Sequence, residues 1–337
     1  MRIPSSVKAN DTIGLIAPSF GCTFEPYLSS FKNALRFLEG CGYRTVTGPN
    51  CFAGCGTGIS NTPEACADEF MNFYTDRNTS ALLSCGGGEL MCEILPHINW
   101  EKIKAAPPKW FMGYSDNTNL GFLLATICDT VSLYGPNAPA FGMEPVHGSL
   151  QDALAFLTGK KSSFRGYGLY EKESLKTPEN PLAPYHLTER SVKRGYPSSD
   201  VTAGGMLLGG CLDCLSTLAG TKYDHVRDFL YRHRDTGILW FLEACDLNVF
   251  GIRRALWQLR EAGWFDTASG FIIGRPLLPD EMFGLDRFRA VTDILGVLDV
   301  PIIMDADLGH VPPVLPFANG MLADVTLSGD VFTLSYH

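Results

Sequence analysis

The chain reads as a two-domain α/β protein: an N-terminal parallel sheet flanked by helices, then a second α/β domain. Three observations predict this. At 337 residues it is long enough for about two domains of ~150 residues each. Short apolar runs alternate with stretches of helical period on both sides of the middle, which is the pattern of parallel strands joined by crossover helices. Between the two alternating regions lies an irregular stretch with a different charge balance. The expected divisions are residues 1–157, a variable segment 158–200, and residues 201–337.

In chain order, Asp11 to Pro18 (DTIGLIAP) is fit for a buried strand. Pro26 to Gly40 follows, with Leu28, Phe31, Leu35 and Leu38 on one helix face. Gly42 closes that helix, and Tyr43 to Thr47 reads as the next strand. Thr62-Pro63-Glu64 opens a helix with a capping hydroxyl, a proline at the first position and an acid in the first turn. Ser80 to Cys85, Lys109 to Tyr114 and Val131 to Tyr134 are further strands, with helical Asn117 to Ile127 between the last two. Residues 158–200 carry eight Lys and Arg against five Asp and Glu, with tyrosines at 167, 170, 185 and 196, and suit a functional loop or a linker. Met206 to Leu218 reads as an apolar helix, Gly237 to Leu242 as a strand and Asn248 to Ala262 as a helix. Gly270 to Gly274 and Pro301 to Met304 are strands. Ala323 to Tyr336 alternates around Ser328-Gly329-Asp330 as a hairpin.

Composition narrows the function. Hydrophobic residues at 45% support a sizeable core, and 35 glycines with 21 prolines predict many tight turns. A formal net charge of −9 argues against a nucleic-acid partner, which needs a basic footprint. No apolar stretch approaches ~18 residues, so no membrane span is expected. Met1 to Lys8 lacks a signal-peptide core, and eleven cysteines are scattered through apolar runs, so reduced thiols and a cytoplasmic setting are expected.

Four segments have residues suited to chemistry. In Gly113-Tyr114-Ser115-Asp116 an apolar strand runs straight into a helix, with Ser115 at the junction. Such a turn lifts a hydroxyl out of the sheet and aims the following amides at a developing oxyanion. A G-x-S-x-G elbow has glycine where this chain has Asn117, and a plain helix cap would use the same residue types. Gly86-Gly87-Gly88-Glu89 follows a strand and suits anion binding, an oxyanion hole, or a turn needing positive φ. It is neither G-x-G-x-x-G nor a phosphate loop. Glu243 ends the strand GILWFLE, where functional groups of α/β proteins collect, and it pairs with a histidine, or else caps the following helix or pairs with Arg253 or Arg254. His310 follows the strand PIIM in a loop stiffened by Pro312, Pro313 and Pro316, the rigid placement a general base requires. Cys211-Leu-Asp-Cys214 lies inside an apolar run with no second pair at zinc spacing, so packing is the favoured reading and no metal is expected.

Taken together, these segments resemble the LD-carboxypeptidase family of serine peptidases, which includes muramoyltetrapeptide carboxypeptidases and microcin C self-immunity peptidases. The resemblance runs in order through IGLIAPS, CGGGELMCEILPHINW, PKWFMGYSDNTNL, LYGP, GGMLLGGCLDCLSTLAGT, GILWFLE, GFIIGR and DADLGHVPPVLPFANG. It implies Ser115 as nucleophile, Glu243 as the triad acid and His310 as base. It further implies an oxyanion hole formed by the amide of Asp116 and a glycine-loop amide, assigned to Gly88. Gly87 and Glu89 become candidate substrate contacts, and Arg275 a cation for the substrate's carboxylate or a partner in a structural salt bridge. No metal or cofactor is needed, and a homodimer is expected. The implied substrate is a murein tetrapeptide, cut between the L-centre of a diamino acid and terminal D-alanine. The alternatives are a microcin C-like peptidyl- or aminoacyl-nucleotide, with tyrosines of 158–200 standing in for an absent tryptophan, and a non-catalytic module binding a small anion.

Overall fold

The computed structural model describes residues 1–337. The chain divides into two compact units, one of residues 1–161 and 173–186, the other of residues 162–172 and 187–337. The 158–200 stretch is therefore shared between them.

The first unit holds five parallel strands: β1 (Thr12–Ile16), β2 (Arg44–Thr47), β3 (Ala81–Ser84), β4 (Trp110–Gly113) and β5 (Ser132–Tyr134). Their order is β2-β1-β3-β4-β5. The chain leaves β1 in one direction to β2, then returns to the other side for β3. Right-handed crossovers therefore put the helix between β1 and β2 on one face and the later connections on the other, and the switch point lies between β1 and β3. Helix α1 (Tyr27–Gly40) buries Phe31, Ala34 and Leu38, while Leu28 and Leu35 are half-buried at the edge of that face. Helix α2 (Pro63–Thr75) begins as expected, with Thr62 Oγ1 accepting the Ala65 amide at 3.3 Å. Two shorter helices, α3 (Trp100–Ala105) and α4 (Thr118–Thr126), flank β4, and α5 (Gly148–Leu157) follows β5. All nine residues of α4 are buried, so the helix after Ser115 has no solvent face.

The second unit is built on an eight-stranded mixed sheet. Its centre is parallel: β10 (Val201–Cys211), β11 (Ile238–Glu243), β12 (Ala268–Gly274) and β13 (Ile302–Ala306). Antiparallel strands close both sides. Beyond β13 lies β9 (Arg194–Tyr196). Beyond β10 come β15 (Leu322–Ser328), β16 (Val331–Tyr336) and β6 (Ser163–Arg165). Strands β7 (Leu169–Glu171) and β8 (Leu187–Arg190) form a separate pair, and β14 (Phe317–Asn319) precedes the hairpin. The helices are α6 (Leu212–Leu218), α7 (Val226–Arg232), α8 (Val249–Glu261) and α9 (Arg287–Leu295). Stacked Trp240 and Trp264, both fully buried, sit in the core.

Two readings differ from expectation: residues 158–200, expected as a loop or linker, carry the short strands β6 to β9, and the start of the apolar run from Met206 is strand. Met206 to Cys211 is the end of β10, and only Leu212–Leu218 is helical. A strand buried on both faces has no period-2 signature, so an apolar run of this kind reads equally as helix. Glycine decides the matter: a Cβ at Gly209 would collide with the Phe241 carbonyl of β11. The expected hairpin forms at Gly329, whose φ is 55°. No helix is long and apolar enough to cross a membrane.

Candidate active site

In the first unit, chemistry-bearing residues gather at the carboxyl ends of β1, β3 and β4, around the switch point. Ser115 stands two residues beyond β4 with φ of 65°, a left-handed conformation that a non-glycine residue seldom adopts. Its amide donates to the Tyr134 hydroxyl at 3.1 Å. A short 3-10 turn over Ser115–Asn117 then leads into α4. The glycine loop after β3 lies against this turn. A Cβ on Gly87 would stand 2.9 Å from Ser115 Cβ and Oγ and 3.7 Å from the Asp116 nitrogen, so only glycine allows this approach. The Gly87 carbonyl accepts the Phe20 amide at 3.0 Å. In a trans peptide the next N–H points the opposite way, so the Gly88 amide is aimed away from Phe20. Glu89 is exposed at the end of the loop.

Residues not singled out from sequence hold this arrangement. The buried Asp116 carboxylate accepts the Ser19 hydroxyl at 2.6 Å, the Met91 amide at 2.9 Å and Asn119 Nδ2 at 2.9 Å. Burial pushes its carboxyl up, against those three hydrogen bonds, which pull it down. Ser19 lies in the loop after β1, so the strand-end rule applied to the first strand would have found it.

In the second unit, Glu243 ends β11 and His310 follows β13. His310 Nδ1 and Glu243 Oε2 are 2.9 Å apart. The Glu243 side chain is fully buried and that of His310 is 13% exposed. Gly309, at φ of 98°, makes the approach possible, because a Cβ there would stand 2.5 Å from Glu243 Oε2. Asp213, at the start of α6, accepts the Cys245 and Asp246 amides at 3.1 and 2.9 Å and so fixes the loop that leaves Glu243. Cys211 ends β10 as a buried free thiol, and all eleven cysteines are free.

Arg275, expected as a cation for the substrate's carboxylate or as a partner in a structural salt bridge, is found paired with Asp307. Its guanidinium is buried, with Nη1 at 2.7 Å from Asp307 Oδ1 and Nη2 donating to the carbonyls of Val311 and Pro313. Asp307 is fully buried and also pairs with Lys193 at 2.9 Å, while accepting the Tyr167 amide at 2.7 Å. This cluster holds the chain on both sides of His310. Tyrosines of 158–200 pack against other side chains: Arg275 lies over Tyr170 at 5.0 Å, His147 against Tyr185 at 5.4 Å, and Phe288 against Tyr196 at 6.4 Å.

The comparisons with known proteins agree in one direction. Residues 13–135 match the LD-carboxypeptidase N-terminal domain and residues 204–325 the LD-carboxypeptidase C-terminal domain. The chain is 26% identical to the microcin C7 self-immunity protein MccF of Escherichia coli, covering 95% of this chain and 91% of that protein. It is 29% identical to a probable murein peptide carboxypeptidase of Bacillus subtilis, covering 92% and 87%. A structure of MccF in complex with aspartyl sulfamoyl adenosine superposes with a TM-score of 0.83 at 22% identity, covering 99% of this chain and 98% of that one. The muramoyltetrapeptide carboxypeptidase of Oxalobacter formigenes gives 0.73 at 19% identity, covering 96% and 98%.

Proposed function

The chain belongs to the LD-carboxypeptidase family of serine peptidases, and on that premise we propose that it releases terminal D-alanine from murein tetrapeptides. The bond cut is the amide at the L-centre of a diamino acid. The observation that carries the reading is Ser115, held at positive φ at a strand-to-helix turn and packed against Gly87.

Glu243 accepts the Nδ1 proton of His310, which leaves Nε2 as the basic nitrogen. Nε2 takes the Ser115 hydroxyl proton as the serine oxygen bonds to the amide carbon. The amides of Asp116 and Gly88 hold the oxyanion, each contributing about 3 kcal/mol of transition-state stabilisation. His310 returns the proton to the leaving nitrogen of D-alanine as the C–N bond breaks. Water, deprotonated by the same nitrogen, then hydrolyses the acyl-enzyme. The reading carries with it a cytoplasmic homodimer that recycles wall fragments without metal or organic cofactor.

A murein peptide is favoured over a nucleotide by the residues of 158–200. That segment has no tryptophan, and Tyr170, Tyr185 and Tyr196 each pack on another side chain. The aminoacyl-nucleotide reading is supported by the 26% identity to MccF along 95% of this chain. Incubating wild type and Ser115→Ala with a D-alanine-terminated tetrapeptide and with an aminoacyl sulfamoyl adenosine separates the two. D-alanine release by wild type alone is the expected result. Cleavage of the adenosine compound alone would move the chain to the second reading, and equal hydrolysis by Ser115→Ala would end the serine mechanism.

A further inference from the structure

We infer that Asn117, which stands where a G-x-S-x-G turn has its second glycine, is the positioning residue that sets the spacing of the oxyanion hole. The inference rests on the serine-peptidase reading above and extends it to a residue that does not touch the reacting atoms. The Asn117 side chain folds back beneath the turn. Its Nδ2 lies 2.8 Å from the carbonyl of Gly86, 3.0 Å from the carbonyl of Tyr114 and 3.2 Å from Asn137 Oδ1. Asn137 Oδ1 in turn accepts the Tyr114 amide at 3.2 Å.

These contacts join the loops that follow three neighbouring strands. Gly86 opens the glycine loop after β3, Tyr114 immediately precedes the nucleophile after β4, and Asn137 lies beyond β5. The two amides proposed for the oxyanion hole, of Asp116 and Gly88, lie on two of those loops, each two residues or fewer from an atom held by Asn117. Space has been made for this side chain, because a Cβ on Gly113 would stand 2.7 Å from Asn117 Cγ.

The orientation of the amide is also determined. Asn117 Oδ1 is buried without a hydrogen-bond partner. Exchanging oxygen and nitrogen would set that oxygen against the two carbonyls of Gly86 and Tyr114, which offer no proton. An unpaired buried oxygen is costly, so the site keeps this residue for its donors. Donors that hold two loops at a fixed separation matter most when charge develops between them, because an oxyanion hole acts through preorganisation.

The test uses the full chain and three readouts: kcat and KM on a D-alanine-terminated tetrapeptide, the rate of Ser115 labelling by a fluorophosphonate, and the thermal midpoint. Asn117→Ala is expected to lower kcat by about 100-fold with KM changed by less than about twofold. Labelling, which also places charge in the hole, falls in parallel, while the thermal midpoint moves by only a few degrees. Asn137→Ala, which removes one acceptor and leaves Asn117 in place, gives a smaller loss of the same kind. It also serves if Asn117→Ala does not fold. Unchanged kcat and labelling, or a rise in KM at constant kcat, overturns the inference. So does a loss that merely follows the unfolded fraction. Wild-type labelling without tetrapeptide hydrolysis removes the murein substrate but leaves the role of Asn117 testable through the labelling rate. Absence of wild-type labelling at Ser115 removes both.

Discussion

Gly309 and Arg275 place His310 by opposite means, one through absence of a side chain and the other through a large buried one. Gly309 sits at φ of 98°, and a Cβ there would stand 2.5 Å from Glu243 Oε2. Alanine there adds backbone strain of about 1–3 kcal/mol and a methyl where Oε2 lies. Gly309→Ala is therefore expected to part Glu243 from His310 and to lower kcat/KM by at least about tenfold, as read by D-alanine release. Full activity in that variant would show that the 2.9 Å bond between Nδ1 and Oε2 is not required. Arg275 works through charge. A fully buried carboxylate such as Asp307 is tolerated only with counter-charges and hydrogen bonds, and Arg275, Lys193 and the Tyr167 amide supply them. The same guanidinium reaches the carbonyls of Val311 and Pro313, so neutralising Asp307 and stiffening the His310 loop are one arrangement.

At the scale of elements, Lys109 shows how a charge can cap a helix from outside it. Lys109 directly precedes β4, and its ammonium donates at 2.7 Å to the carbonyls of Phe73 and Asp76, at the end of α2. Burial lowers it from an ordinary 10.5 to about 8. Below pH 8 the folded and unfolded chains both hold the proton, and the cost of burying the charge is present in full. Between about 8 and 10.5 the unfolded chain holds the proton and the folded chain does not, so stability rises with pH through that window. Urea unfolding of wild type and Lys109→Met from pH 7 to 10.5 should show wild type gaining on the order of 2 kcal/mol relative to the variant. Parallel curves would show that Lys109 loses no proton there. Such a partner was not legible in the sequence, because Lys109 and Phe73 are 36 positions apart. The same holds for Asp307 and Tyr167, 140 apart. What was legible depends on local rules. The Thr62 cap, the hairpin at Gly329 and the strand-end positions of Ser115 and Glu243 each follow from a few neighbouring residues. The end of β10, from Met206 to Cys211, reads as helix in the sequence because burial on both faces erases its period, and Gly209 reveals the strand only once Phe241 is known to lie beside it.

For the molecule as a whole, the proposed triad draws Ser115 from the first unit and Glu243 with His310 from the second. The chain passes between the units three times, at 161–162, 172–173 and 186–187. The segment 173–186 is tied back into the first unit, where Pro181 accepts the Ser30 hydroxyl at 2.6 Å and Leu182 accepts the Glu144 amide at 2.8 Å. Three covalent links keep each unit at a high effective concentration near its own partner, far above any working concentration of a second chain. The triad is thus expected to be completed within one chain, even in a homodimer. The decisive measurement mixes Ser115→Ala with His310→Ala after unfolding and refolding them together. Each variant lacks one essential group, so a triad built within the chain leaves the mixture as inactive as its parts. Activity that recovers in the mixture and grows with protein concentration would mean that the serine of one copy meets the histidine of another. The proposed mechanism would then belong to the dimer and not to the chain.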